Sequence, residues 1–281
     1  MNELLGWYGY EKLDSRETQG LNLQHFTAAT SPRTSSTPDG SGSEDTSRDV
    51  SSNQGATRVL TPGTTNSETK ESSPRVEDAV EQAVSFLQQG HVIAVPTDTI
   101  YGIACLAQNS TGVRKLYEIK KREQSKPIAI CVADIQDIPL WGHVTVSTSV
   151  LQELLPGPVT LIFERTPNLN VQLNPTVKFV GIRIPNCSFI RCVAHSCGAP
   201  LALTSANMSS HSSTLAVEEF KDLWPDLGAV FDGGHLGEND PLRLGSTVVD
   251  LSVKGYYHIV RSGCAEETTK KILEKYHLME C

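Results

Sequence analysis

No stretch of the sequence approaches the run of about 20 apolar residues that a membrane-spanning helix requires. The opening MNELLGWYGYEKLD has neither the basic start nor the long apolar middle of a secretory signal. Arginine is scarce where a mitochondrial presequence needs it, and Glu3, Glu11, Asp14 and Glu17 stand there instead. The expected location is cytoplasmic, with no clear transit peptide and a mitochondrial fraction left open. An excess of positive charge is missing too. Lys and Arg number 24 against 32 Asp and Glu, a net charge of −8, which argues against affinity resting on a broad basic face for nucleic acid. Paired cysteines are absent: the seven are odd in number and lack disulfide-framework or zinc-ribbon spacing, so they read as reduced thiols inside a cell. No GxxxxGK[ST] phosphate loop occurs, and the glycine-rich DGGHLG (Asp232 to Gly237) follows no dinucleotide pattern. Cys192, His195 and Cys197 lie close together but lack a fourth ligand at metal spacing.

What is present divides unevenly. From about Thr27 to Pro74 the chain is Ser, Thr, Gly, Pro and Asp with scattered charge, too poor in apolar residues to offset its ordering entropy. Residues 1–74 are expected to be mostly disordered, with LLGWYGY either a remnant or a weak docking motif. Residues 75–281 are expected to fold. At Val76, Ala79, Val80, Ala83, Val84 and Leu87 one apolar helical face begins, closed by Gly90. HVIAV then reads as a buried strand, PTDTIYG as a loop and STGVRKLYEIK as a helix capped by Ser110 or Thr111. Strands and helices continue to alternate to the C-terminus, with two pairs of strands joined without a helix between them. The class is α/β with a twisted mixed parallel and antiparallel sheet flanked by helices.

Polar residues gather at four strand ends, where open α/β sheets keep their ligand sites. In IKKREQSKP, Lys120, Lys121, Arg122 and Lys126 exceed what the end of a helix dipole needs and suit a polyphosphate. In TSANMSS, Ser205, Asn207 and Ser209 could form a turn or surround a ligand. Arg183 in the apolar VGIRIP calls for an anion, either a structural carboxylate or that of a substrate. Arg261 in IVRSG, beside GSTVVD, raises the same choice.

PTDTIYG, the K-x-R of Lys120 and Arg122 with Lys126-Pro127, LPGPVT, VGIRIP, the S-x-N of Ser205 and Asn207, and GSTVVD with IVRSG together resemble, in order and spacing, the YrdC-like family over roughly Val76 to Leu278. The resemblance implies a mixed α/β sheet around a deep positive cleft. It also implies a nucleotidyltransferase, an L-threonylcarbamoyladenylate synthase, acting at the first step of threonylcarbamoyl-adenosine formation in tRNAs that read ANN codons. Threonine, bicarbonate or CO2, and ATP with Mg²⁺ would be the substrates, and no covalent enzyme intermediate is needed. Carried over by position, Lys120 and Arg122 would be catalytic. Arg122, Lys126, Ser205, Asn207, Ser213 and Arg261 would hold ATP, and Thr99, Cys131, Arg183 and Ser246 threonine, with Tyr101 shaping the wall and no protein metal ligand. The product would pass to a tRNA threonylcarbamoyltransferase complex, with weak tRNA contact and no membrane insertion.

The sequence departs from the family pattern at three points. Lys121 stands where the family commonly has glycine, and Cys131 where microbial relatives often carry a polar residue that touches threonine. The chain also resembles the short form, without an added C-terminal domain. Two rival readings are the adenylating module of hydrogenase-maturation carbamoyltransferases, whose zinc fingers and acylphosphatase-like domain are missing here, and an RNA-binding module without turnover. Against the second stand the net charge and the lack of aromatic platforms beside the lysines.

Overall fold

The computed structural model describes residues 76–121, 127–208, 212–237, 240 and 242–281. The stretch expected to be disordered, residues 1–74, lies outside them, and so do Arg122, Lys126 and Ser209.

The expected first helix forms as α1 (Val76–Gln88), burying Ala79, Val80, Ala83 and Leu87. Full burial of Leu87 alone contributes about 2–3 kcal/mol. The chain then turns at Gly90, whose φ of +75° lies in the left-handed region open to glycine. β1 (Ile93–Val95) and β2 (Gly102–Leu106) pair antiparallel around the PTDTIYG turn. Reading the sequence as loop and then helix misses β2, because the strand is buried on both faces and shows no alternation. α2 (Ser110–Lys120) has the expected span, but its cap is Asn109, whose side-chain oxygen accepts from the amides of Thr111 and Gly112, each at 3.0 Å.

β3 (Ala129–Cys131), α3 (Ile138–Trp141), β4 (Gly142–His143), α4 (Thr148–Leu154), β5 (Val159–Arg165), β6 (Phe179–Arg183), α5 (Ser188–Cys197) and β7 (Leu201–Ser205) follow. LAVEEFKDLW, expected as a helix, becomes a 3-10 segment, Val217–Asp226, broken at Phe220. Pro225 lacks an N–H and its ring opposes the carbonyl four residues back, which disfavours an α-helix there. β8 (Ala229–Val230), β9 (Thr247–Asp250), β10 (Tyr256–Arg261), α6 (Glu266–Lys275) and β11 (Met279–Glu280) complete the described chain. Among the described residues, no helix is long and apolar enough to cross a membrane.

The strands form one sheet in the order β11-β10-β9-β5-β6-β3-β7-β2-β1-β8, with β4 beside β5. β5 and β9 run parallel, as do β3 and β6, while β5 with β6 and β9 with β10 run antiparallel. The sheet is therefore mixed, as the helix-free strand pairs suggest.

Alternation along the strands divides the core in two. Ile103, Ile130, Leu161, Phe163, Ile182 and Val249 join residues of α2, α4 and α6 in one cluster. Ile93, Val95, Ala104, Cys131, Leu201 and Leu203 point to the other face, under α1 and α5. Those two helices cover only part of that face. Further along it, Gly102, Ala129, Gly181, Thr160, Ile162 and Val248 line an open cavity. The site is thus the portion of a sheet face on which no helix is laid.

Candidate active site

The cavity measures about 350 Å³, and its polar lining includes Thr97, Thr160, Arg183, Thr204, Ser205, Ser246 and Arg261. Its floor is small-residue sheet: a Cβ on Gly181 would lie 3.0 Å from the Thr160 methyl carbon, and one on Gly102 would meet Leu203 at 2.6 Å.

The PTDTIYG turn is tied to itself through Thr97. The Thr97 hydroxyl donates to the Ile100 carbonyl oxygen at 2.7 Å and accepts from the amides of Thr99 and Ile100 at 3.2 and 3.3 Å. The Thr99 hydroxyl lies 3.2 Å from that of Thr97. Tyr101, fully buried, fastens the other end: its hydroxyl donates toward Asp232 Oδ1 at 3.0 Å and the Gly234 carbonyl oxygen at 2.7 Å, and accepts from the Gly233 amide at 2.9 Å. Burial, and next the Asp232 charge, raise its pKa well above the ordinary phenol range, so it acts as a neutral phenol.

Arg183 meets a structural carboxylate. Its Nη2 donates to Asp98 Oδ1 at 2.6 Å, with side chains only 8% and 6% exposed. The other Asp98 oxygen accepts the Asn186 amide at 2.9 Å. Across the cavity, Arg261 Nη2 donates to the Ser246 carbonyl oxygen at 2.6 Å and to its hydroxyl at 3.2 Å. Ser246 in turn shares a hydrogen bond of 2.9 Å with Thr160, between the two parallel strands β5 and β9. Two main-chain bonds close this wall: Gly157 N to Ile184 O and Thr247 N to Pro158 O, both 2.9 Å, so that LPGPVT, VGIRIP and GSTVVD meet.

Lys120, at the end of α2, is only 2% exposed. Its ammonium donates to the Ser205 carbonyl oxygen at 2.7 Å, to Asn207 Oδ1 at 3.1 Å and to the Asn207 carbonyl oxygen. The Ser205 hydroxyl donates to Asn207 Oδ1 at 2.5 Å. The K-x-R and S-x-N motifs are thus joined through their first members. Lys121 follows in the left-handed region, φ 45° and ψ 39°, the conformation that explains glycine at this position in the family pattern.

Of the residues singled out from sequence, Arg183, Ser205, Ser246 and Arg261 line the cavity together. Thr99 and Cys131 do not. Thr99 is turned inward under Thr97, while Cys131 is fully buried beneath α1 and α5 beside Arg183 in register, and its thiol donates to the Val132 carbonyl oxygen at 3.7 Å. Burial pushes that thiol up to about 12. Lys120 and Asn207 stand behind the wall, tied to each other, and the Ser213 carbonyl oxygen accepts from Arg243 Nη1 at 3.0 Å. Sequence reasoning passed over Thr97, Thr160, Thr204 and Asp98. Asp98 carried a signal, an acid in the turn facing an arginine inside an apolar strand.

These features define a class: a mixed α/β protein whose cavity, lined by hydroxyls and two guanidinium groups, suits a small anionic ligand. Its membership is narrower than that. The chain belongs to the Sua5/YciO/YrdC family, whose profile, described as "Telomere recombination", matches residues 85–263. It is 50% identical over 204 residues to the threonylcarbamoyl-AMP synthase of Bos taurus, covering 72% of this chain and 74% of that one. The Homo sapiens protein of the same name is 50% identical over 205 residues, with coverage of 72% and 74%. Among solved structures, P. abyssi Sua5 complexed with L-threonine matches with a TM-score of 0.65 at 21% identity, over 74% of this chain and 60% of that one. E. coli YciO matches with a TM-score of 0.60 at 24% identity, over 68% and 91%. Both structures share the fold.

Proposed function

We propose that this protein is an L-threonylcarbamoyladenylate synthase. The reading rests on one observation: in a chain half identical to proteins so named, Arg183, Ser205, Ser246 and Arg261 surround a single cavity. Threonine takes up CO2, supplied as such or from bicarbonate, on its amine to give the N-carboxylate with loss of a proton. A carboxylate oxygen then attacks the α-phosphorus of ATP, the bond from that phosphorus to the β-bridging oxygen breaks, and pyrophosphate leaves. The class is nucleotidyl transfer.

Catalysis in such a site is placement and charge stabilisation, with no enzyme nucleophile. Arg183 is assigned the threonine carboxylate, which its fork can bind with charge-assisted hydrogen bonds. Ser246 and the PTDTIYG turn, including Thr99, shape the amino-acid side, and Cys131 supports Arg183 from the adjoining strand. Ser205, Asn207, Ser213 and Arg261 form the nucleotide side. Arg122 and Lys126, outside the described residues, are assigned to the phosphates, with Lys120 holding the loop between them and the nucleotide. Mg²⁺ enters with ATP on phosphate oxygens and water, as a hard cation does in polyphosphate sites. The product goes to an acceptor complex that modifies tRNA.

The test is pyrophosphate release by the full chain with ATP and Mg²⁺, with and without bicarbonate and with L-threonine, L-serine or neither. Release that requires both threonine and bicarbonate is the expected result. Release indifferent to threonine, or none at all, overturns the proposal, and salt-sensitive RNA binding without turnover would put the RNA-binding reading in its place.

A further inference from the structure

Arg183 lines the cavity, yet its Nη2 is committed to Asp98, and its buried Nε has no hydrogen-bond partner among the described residues. A buried N–H donor left unpaired costs about 1–3 kcal/mol, and since Nε is closed off from solvent, a ligand in the cavity would meet the terminal nitrogens of the fork. Asp98 itself is fully used: one oxygen holds Arg183 and the other the Asn186 amide, just before α5. The carboxylate is therefore fixed at two points on different elements, and it fixes the plane of the guanidinium. A buried ion pair of this kind is weak as a stabilising device, since desolvation offsets most of its attraction, so its geometry matters more than its energy.

We infer that Asp98 is a positioning residue for amino-acid recognition, holding the Arg183 fork so that its remaining donors face a substrate carboxylate. The inference rests on the proposed synthase reading for the identity of that carboxylate. Removing Asp98 leaves Arg183 charged and free to rotate, so carboxylate binding weakens while the nucleotide side, across the cavity at Arg261, is untouched.

The test compares wild type, Asp98→Asn, Asp98→Ala, Arg183→Ala and the double Asp98→Ala/Arg183→Ala variant in the full chain, by threonine titration calorimetry and by pyrophosphate release. Asp98→Asn keeps the shape of the side chain, and thermal melting separates misfolded variants from folded ones. The expected result is a threonine Kd and KM raised about 10-fold or more in both Asp98 variants, with the ATP KM within about 2-fold of wild type. The double variant should bind threonine no worse than Arg183→Ala, because one residue acts through the other. Independent, multiplying effects, or threonine and ATP requirements rising together, overturn the inference. If wild type binds threonine but releases no pyrophosphate, the synthase reading fails and the Kd comparison still decides Asp98. If wild type binds no threonine, both fail.

Discussion

Lys120 and Ser205, 85 positions apart in the chain, are joined by a hydrogen bond of 2.7 Å from the lysine ammonium to the serine carbonyl oxygen. The bond fixes the end of α2 to the end of β7 and makes the lysine a strut between two loops. With only 2% of its surface exposed, the lysine is held among the Ser205 carbonyl oxygen and the Asn207 carbonyl and side-chain oxygens.

Lys120→Met tests that strut. The substitution keeps length and removes the three donors, leaving the Ser205 and Asn207 oxygens without their cation at a cost of about 2–3 kcal/mol. The expected outcome is a lower melting temperature together with at least about a tenfold loss of pyrophosphate release. Wild-type stability with activity alone lost would return Lys120 to direct phosphate chemistry.

Gly263 permits the close approach that sets Arg261 beside Ser246. A Cβ there would lie 2.2 Å from the Thr247 nitrogen and 2.4 Å from the Ser246 carbonyl carbon, so the backbone must move. Gly263→Ala is expected to cost about 3 kcal/mol and to raise the ATP requirement. Gly198→Ala serves as the control: its φ is +58° but nothing stands within 4 Å, so about 1 kcal/mol is expected. Equal melting temperatures for the two variants would refute the steric argument.

How much of this was legible beforehand varies with the kind of signal. Helical periodicity located α1, α2, α5 and α6, since their apolar faces repeat locally. Strand β2 was hidden by burial on both faces, and the 3-10 stretch by Pro225, whose effect outweighed an amphipathic pattern. Arg183, Ser205, Ser246 and Arg261 were legible as polar residues at strand ends. The Asp98 partner, the inward turn of Thr99 and the enclosure of Cys131 were not, because they depend on which strands become neighbours and on where α1 and α5 stop.

Lys121→Gly is expected to stabilise the protein. The residue sits at φ 45° and ψ 39°, where a Cβ crowds the following carbonyl oxygen, and glycine relieves about 1 kcal/mol. Chemical denaturation of the two proteins measures the difference; a midpoint lowered by the substitution would show that the lysine side chain contributes more than its backbone costs.

The thiols give a pH signature. Burial pushes Cys105 and Cys131 from 9.0 up to about 12 in the folded chain. Because the folded state keeps these protons and the unfolded state releases them earlier, their contribution is fully present below about pH 9 and is lost as pH rises towards 12. At pH 8, iodoacetamide should label the exposed Cys281 first and reach Cys105 and Cys131 only on unfolding. Peptide mass spectrometry reads the order, and Cys131 reacting as fast as Cys281 would contradict its enclosure.

The pairing of β5 with β9 sets a timetable for the nascent chain. Synthesis delivers the N-terminal part first, so β5 and β6 leave the ribosome long before β9, which must lie along the far edge of β5 and carry Ser246 to Thr160. Until then the edge of β5 has unpaired main-chain groups, and the cavity lacks the wall that Ser246 and Arg261 supply. A polypeptide released early would therefore be both prone to self-association and unable to bind its ligand. Quality control and the onset of activity thus hinge on the same late event, the arrival of β9.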